Sequence, residues 1–134
     1  MKVLLFIPLF FLLSWQNQSG NQINIDVIKA DKSFIRYMEL MSAHQKAIIR
    51  DEWGLRTEKV KNELEEAKRK KNTIDFYKKL KNAKGISYHA ATTELMSNYI
   101  RLSIKYSLKV EVNKKVFNEA MKQYSSEHKP YFTN

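Results

Sequence analysis

Three histidines, His44, His89 and His128, are the side chains best suited to proton transfer near neutral pH. None falls in a metal-ligand spacing such as His-Glu-x-x-His. Glu39 and His44 lie five residues apart, which puts them on different faces of a helix. His44 and Asp51, seven apart, can share a face, and that pair could carry out acid–base chemistry. The simpler reading of His44 is a surface or half-buried imidazole. His89 follows a helix cap and fits a cap-region hydrogen bond, and His128 lies near a frayed terminus. Asp51 and Glu52 beside Trp53 suggest a second chemistry, because a carboxyl against an indole can be held protonated and act as a general acid. Neighbouring carboxylates on a helix do not converge on one bond, however. A charged surface beside a core Trp is the better account.

The chain carries no glycine-rich phosphate loop, no nucleophile elbow and no Ser-His-Asp arrangement. It has no Cys, which excludes thiolate zinc sites and disulfide frameworks. We therefore expect a non-catalytic protein with no cofactor and no metal.

The strongest chemical feature is positive charge. Among 134 residues, Lys and Arg number 24 against 14 Asp and Glu, a net charge of +10. Residues 56–84 hold 11 of the basic residues and five acidic ones. Within that stretch Lys68, Arg69, Lys70 and Lys71 end one helix, and Lys78, Lys79 and Lys81 follow on the next. A tight turn at Asn72 would bring the two groups into one anion-binding patch. A second group, Arg101, Lys105 and Lys109, is spaced by four and forms a row on one helix. Most of these residues are Lys, which supplies charge without the planar recognition of Arg. The plainer alternative is a solvated surface. Tyr88, Tyr99 and Tyr106 lie on an apolar helix stripe with hydroxyls able to reach its rim. They are candidates for an interhelical groove, although core packing also accounts for them.

The partner class follows from where the protein works. Lys2 precedes an apolar run from Val3 to Leu13, and Gln16, Asn17 and Gln18 follow it. The run is shorter than the roughly 20 residues of a membrane span. It reads as a signal peptide, residues 1–20, cleaved between 14 and 20, with an uncleaved anchor as the rival. The expected location is secreted or periplasmic. Nucleic acid is then a poor expectation. An anionic macromolecule, a membrane surface or another protein fits better.

The elements that must position these groups are helical. Only three Gly and two Pro argue against a many-turned β fold, and 43% hydrophobic residues argue against wholesale disorder. Residues 21–27 alternate polar and apolar, and 21–30 read as an extended or disordered lead-in. Residues 31–128 form one helical domain, an all-α antiparallel bundle of four or five helices, and 129–134 a loose tail. Phe34, Met38, Met41 and Ile48 mark a helix over 32–52 that Gly54 interrupts. The stretch 55–71 is a solvated helix with a thin stripe of Val60, Leu64 and Ala67. Asn72 caps the next helix, with Asp75 in the capping-box position and Gly85 as its C′ residue. Ser87 caps a helix over 88–108, and Asn113 caps the last one. The expected core is Trp53, Leu64, Phe76, Leu80, Leu95, Tyr99, Leu102, Phe117 and Met121.

Met41-Ser42-Ala43-His44-Gln45, followed by Lys46, Ile48 and Ile49, resembles the Leu-Thr-x-x-Gln signature of the small helical periplasmic chaperones of the Spy type. Met41 and Ser42 replace the Leu and Thr, and no second copy is found near the C-terminus. The resemblance implies an exported basic chaperone that cradles unfolded clients on a concave face. A third function, membrane disruption by cationic amphipathic helices, is compatible with the same composition.

Overall fold

A computed structural model of the protein describes residues 23–129. Over these residues the backbone is mostly helical, with helices α1 (Ile25–Ala30), α2 (Lys32–Ile49), α3 (Glu58–Arg69), α4 (Thr73–Lys79), α5 (Tyr88–Lys105) and α6 (Glu111–Glu127). Pairing of extended backbone among the described residues is limited to one bridge, between Lys81 and Ser87. The expected signal peptide lies outside the described residues, as does the tail beyond Lys129.

Four helix starts are fixed by side-chain caps, which satisfy backbone N–H groups that have no partner within the helix. Asn24 accepts from the Asp26 N–H at 2.8 Å, Asp31 from Ser33 at 2.8 Å, Thr57 from Val60 at 3.3 Å and Ser87 from Ala90 at 3.0 Å. The Asn24 cap overturns the expected extended or disordered lead-in. The alternation over 21–27 hides a helical stripe, since Ile25 and Ile28 are three apart, and Ile28 is fully buried in the core. Two further expectations fail at caps. The Asn72 side chain makes no cap hydrogen bond. The last helix starts at Glu111, and the Asn113 amide donates instead to the Ser107 carbonyl at 3.3 Å.

Three helix ends follow one pattern without glycine. Asp51, Lys71 and Ser107 have φ of 51°, 55° and 50°, the left-handed conformation of a C′ residue. In each case the following N–H reaches back five residues: Glu52 to Ala47, Asn72 to Ala67 and Leu108 to Ser103, all at 3.0 Å. These Schellman caps end α2, α3 and α5 two to three residues earlier than the sequence periodicity suggests. Gly54 and Gly85, with φ of 67° and 78°, serve turns between helices instead.

The start of α2 lies against the end of α5: Lys105 Nζ meets the Asp31 carboxylate at 2.7 Å. The other end of α2 meets the start of α5, where the rings of His44 and Tyr88 are 6.0 Å apart. On the Asp31 side, Ile28, Phe34, Met38, Leu102 and Phe117 form the core with parts of α1, α2, α5 and α6. Phe34 packs edge-on to Phe117 at 5.5 Å and to Tyr124 at 5.7 Å. On the other side Trp53 is buried with rings from α2, α4 and α5 around it. α4 packs on α5, and α3 packs on α4. Of the expected core residues Trp53, Leu102 and Phe117 are buried, while Leu64, Phe76, Leu80, Leu95, Tyr99 and Met121 are half-buried.

Candidate functional site

The turn between α3 and α4 is held by the Lys71 cap, and the two helices flank a shallow crevice of about 210 Å³. Of the seven cations singled out in sequence, Lys70 and Lys79 line this crevice, together with Glu63, Glu66 and Asp75. Each is held by a carboxylate one helical turn back, Lys70 by Glu66 at 2.8 Å and Lys79 by Asp75 at 3.2 Å. Lys68 pairs with Glu65 at 3.0 Å. The hydrogen bond and charge of Lys70 pull the Glu66 carboxyl below its usual range. Arg69, Lys71, Lys78 and Lys81 are exposed and enter no ion pair among the described residues. The patch is thus a cluster in which acidic neighbours on the same helices pair with three of the seven cations, the Arg69 charge also acts on Glu66, and Lys71, Lys78 and Lys81 are left free.

The three tyrosines divide between two clusters. Tyr106 is buried beside Phe117 and its hydroxyl donates to the Asp31 carboxylate. Burial and that carboxylate push the Tyr106 phenol well above its usual range. Burial tends to raise the Asp31 carboxyl, but hydrogen bonds from Lys105, Tyr106 and the Ser33 N–H outweigh it and hold the group below its ordinary value. Tyr99 packs against Tyr37 at 5.8 Å. Burial, with the Tyr99 phenol nearby, raises Tyr37. Tyr88 sits at the other end of α5, 5.4 Å from Trp53 and 5.0 Å from Tyr77. No single groove collects all three.

The candidate acid–base groups do not pair. Asp51 and Glu52 stand in the turn after α2, not on a helix. Both Asp51 oxygens accept from the Arg56 N–H at 3.3 Å. The His44 ring lies 5.8 Å from Trp53, and its Nδ1 is buried with no hydrogen-bond partner. Desolvation lowers the His44 pKa, so the ring is neutral at neutral pH. His128 Nδ1 donates to the Tyr124 carbonyl at 2.9 Å and its ring stacks on Tyr124 at 4.0 Å, so this end of α6 is tied down rather than frayed.

His44 also borders a feature that the sequence gives no direct sign of. A cleft of about 340 Å³ opens between α2, the start of α5 and the 80–87 turn. Leu40, Ala43, Ala47, Trp53, Ile86 and Ala91 supply apolar lining. Trp53 Nε1 donates to the Ile86 carbonyl at 3.0 Å, which joins the two walls. The Asn82 side chain braces the turn by accepting from the Lys84 and Ile86 N–H groups, both at 3.0 Å. Lys46, Arg50 and Lys84 stand around this lining. The only local signals are the Asn82–Gly85 turn residues; the walls meet through a contact between residues 33 apart.

A third exposed feature runs along α5. Met96, Ile100 and Ile104 follow at intervals of four and are 54%, 52% and 76% exposed. Arg101 and Lys105 lie one residue beyond Ile100 and Ile104 and flank the row. Lys109 falls in the turn beyond the helix. No helix among the described residues is long and apolar enough to cross a membrane. No family model, curated protein or solved structure matches the chain.

Proposed function

We propose that the chain is an exported, non-catalytic binding protein whose α3–α4 face takes an anionic macromolecular partner. The supporting observation is the set of three exposed cations, Lys71, Lys78 and Lys81, that lack carboxylate partners while three neighbours in the same cluster have them. An unpaired exposed cation keeps its full field for an incoming anion, whereas the internally paired ones are largely cancelled. The proposal includes an antiparallel bundle of the longer helices, released by cleavage of the leader between residues 14 and 20. N-terminal sequencing of the exported protein tests the leader. A start at Met1 in a membrane fraction overturns it.

The mode of binding is tested by salt. Exposed charges are screened beyond about 8 Å at physiological ionic strength, so affinity falls steeply as salt rises. Reversing Lys71 and Lys78 to Glu weakens capture of a heparin-type polyanion or an acidic protein and leaves the circular dichroism spectrum unchanged. Lys109→Glu, outside the cluster, matters less. Binding that ignores both salt and the double reversal overturns the reading.

A second reading, action on membranes, is favoured by the Met96–Ile100–Ile104 row beside Arg101, an amphipathic helix face with an unpaired cation on its edge. Leakage of anionic liposomes, abolished by Ile104→Glu, is its expected result. Suppression of client aggregation without salt dependence would favour a Spy-type chaperone over both.

A further inference from the structure

We propose that the cleft between α2 and the 80–87 turn is a second, separate binding site, for a small flat organic anion of the aromatic carboxylate type. Its volume, about 340 Å³, lies within the range of about 300–1,000 Å³ of small-molecule sites. A ring of one or two fused six-membered cycles fits such a space.

The walls have the chemistry for a flat apolar body. Leu40, Ala43, Ala47 and Ala91 offer aliphatic surface, and the Trp53 indole is fixed by its hydrogen bond to Ile86. The neutral His44 imidazole adds a second aromatic group on the same side without adding charge. The turn that forms the opposite wall is rigid. Besides the two Asn82 side-chain bonds, Asn82 donates its N–H to Ile86 and Tyr88 donates to Leu80 at 2.8 Å. The cleft is therefore preformed rather than dependent on ordering a loop around the ligand.

The rim selects an anion. Lys46 and Arg50 from α2, and Lys84 from the turn, line the cleft, and none is in an ion pair among the described residues. Two carboxylates face them. Glu94 is engaged by Arg36 at 3.1 Å, leaving Glu52 as the lining carboxylate outside an ion pair. The balance around the opening is positive, and cations stand on two sides of it. None of the seven α3–α4 cations lines this cleft, so the inference does not rest on the macromolecular reading.

The test uses 2-naphthoate as probe, with the uncharged 2-naphthalenemethanol as its comparator, titrated into the full chain by isothermal calorimetry. The expected result is saturable one-site binding of the anion below about 1 mM, with the neutral analogue at least tenfold weaker. Lys84→Glu and Arg50→Glu should each weaken the anion at least fivefold. Ala43→Phe, which fills the cleft from an exposed α2 position, should abolish binding. Lys71→Glu, on the α3–α4 face, should leave it unchanged. The three cleft positions are exposed and Ala43 is helical, so folding is retained and is checked by thermal unfolding. Absence of saturable binding, equal affinity for the neutral analogue, indifference to the cleft variants, or an equal loss in Lys71→Glu each overturns the proposal. Failure of the polyanion assay with success here would remove the α3–α4 reading alone.

Discussion

Single residues carry two kinds of tension in this molecule. His44 holds a buried nitrogen without a partner, and such an orphan costs about 1–3 kcal/mol. His44→Phe keeps a ring beside Trp53 and Tyr88 and removes the orphan, so stability at pH 7.5 should rise by about 1 kcal/mol, read from urea unfolding. The same residue sets a pH response. Its folded pKa lies below the ordinary 6.5 because burial disfavours the charged ring. Above 6.5 both folded and unfolded chains hold it neutral. As pH falls through 6.5 the unfolded chain takes up the proton first, and stability is lost until the folded pKa is passed. Melting temperature should therefore drop between pH 7 and 5, and His44→Phe should flatten that drop. The second tension is backbone strain. Ser107 is exposed, has φ of 50° and sits at a C′ position that glycine fills at lower cost. Ser107→Gly should stabilise the protein by about 1 kcal/mol. Asp51→Gly should gain less, because its carboxylate also receives the Arg56 N–H.

At the scale of elements, Asp31 links two helices. It caps α2, receives Lys105 from the end of α5, and accepts the hydroxyl of buried Tyr106. Asp31→Ala removes a cap and strands the phenol, a loss of about 2–3 kcal/mol by denaturant unfolding. Because its folded pKa is depressed, the stability it contributes is present above the unfolded value of 3.8 and is lost as pH falls through the folded value. The helical class and the main stripes are readable from the sequence because Phe34, Met38, Leu102, Phe117 and Ala120 recur at helical spacing. The Ser87 cap is readable for a local reason, a short polar side chain just ahead of a stripe, and the same rule leaves Asp26 and Asp31 both open ahead of α2. The helix ends are not readable in this way. Gly54 and Gly85 look like the natural stops, yet Asp51, Lys71 and Ser107 take the left-handed positions, and no local feature marks a charged or hydroxyl residue for that role. α1 is hidden for a different reason. Six residues make a marginal helix alone, and burial of Ile28 against the core is what the Asn24 cap needs to hold this one. The basic run is plain in sequence, but its partial neutralisation by Glu65, Glu66 and Asp75 depends on helix register. The cleft depends on contacts between Trp53 and the 80–87 turn that no local pattern encodes.

Across the whole molecule, burial is uneven in a way that bears on function. The largest fully buried side chains, Ile28, Phe34, Met38, Leu102 and Phe117, all belong to α1, α2, α5 and α6. α3 contributes only Val60 and Ala67 to the buried set, and α4 contributes none. Each of these two helices is too short to persist alone, so both depend on α4 holding to α5 through Tyr77 and Tyr88. Local opening free energy follows buried apolar contact. Native-state hydrogen exchange should therefore find the α3–α4 pair opening well below the global unfolding free energy, with α2 and α5 exchanging only through global unfolding. Limited proteolysis should cut first at the lysines of residues 59–84 and leave a fragment containing α5 and α6 intact. This least stable part also carries the free cations Lys71 and Lys78 at its turn and helix end, with Lys81 just beyond. A polyanion that engages them binds the closed pair only, and mass action then raises the opening free energy in proportion to the logarithm of its concentration over the dissociation constant. At one hundred times that constant the added protection is about 2.7 kcal/mol, confined to α3 and α4 and abolished by the Lys71 and Lys78 reversals. Protection spread evenly over all six helices would mean that the partner sits elsewhere. Protection of residues 80–94 without α3 would instead mark occupation of the His44 cleft.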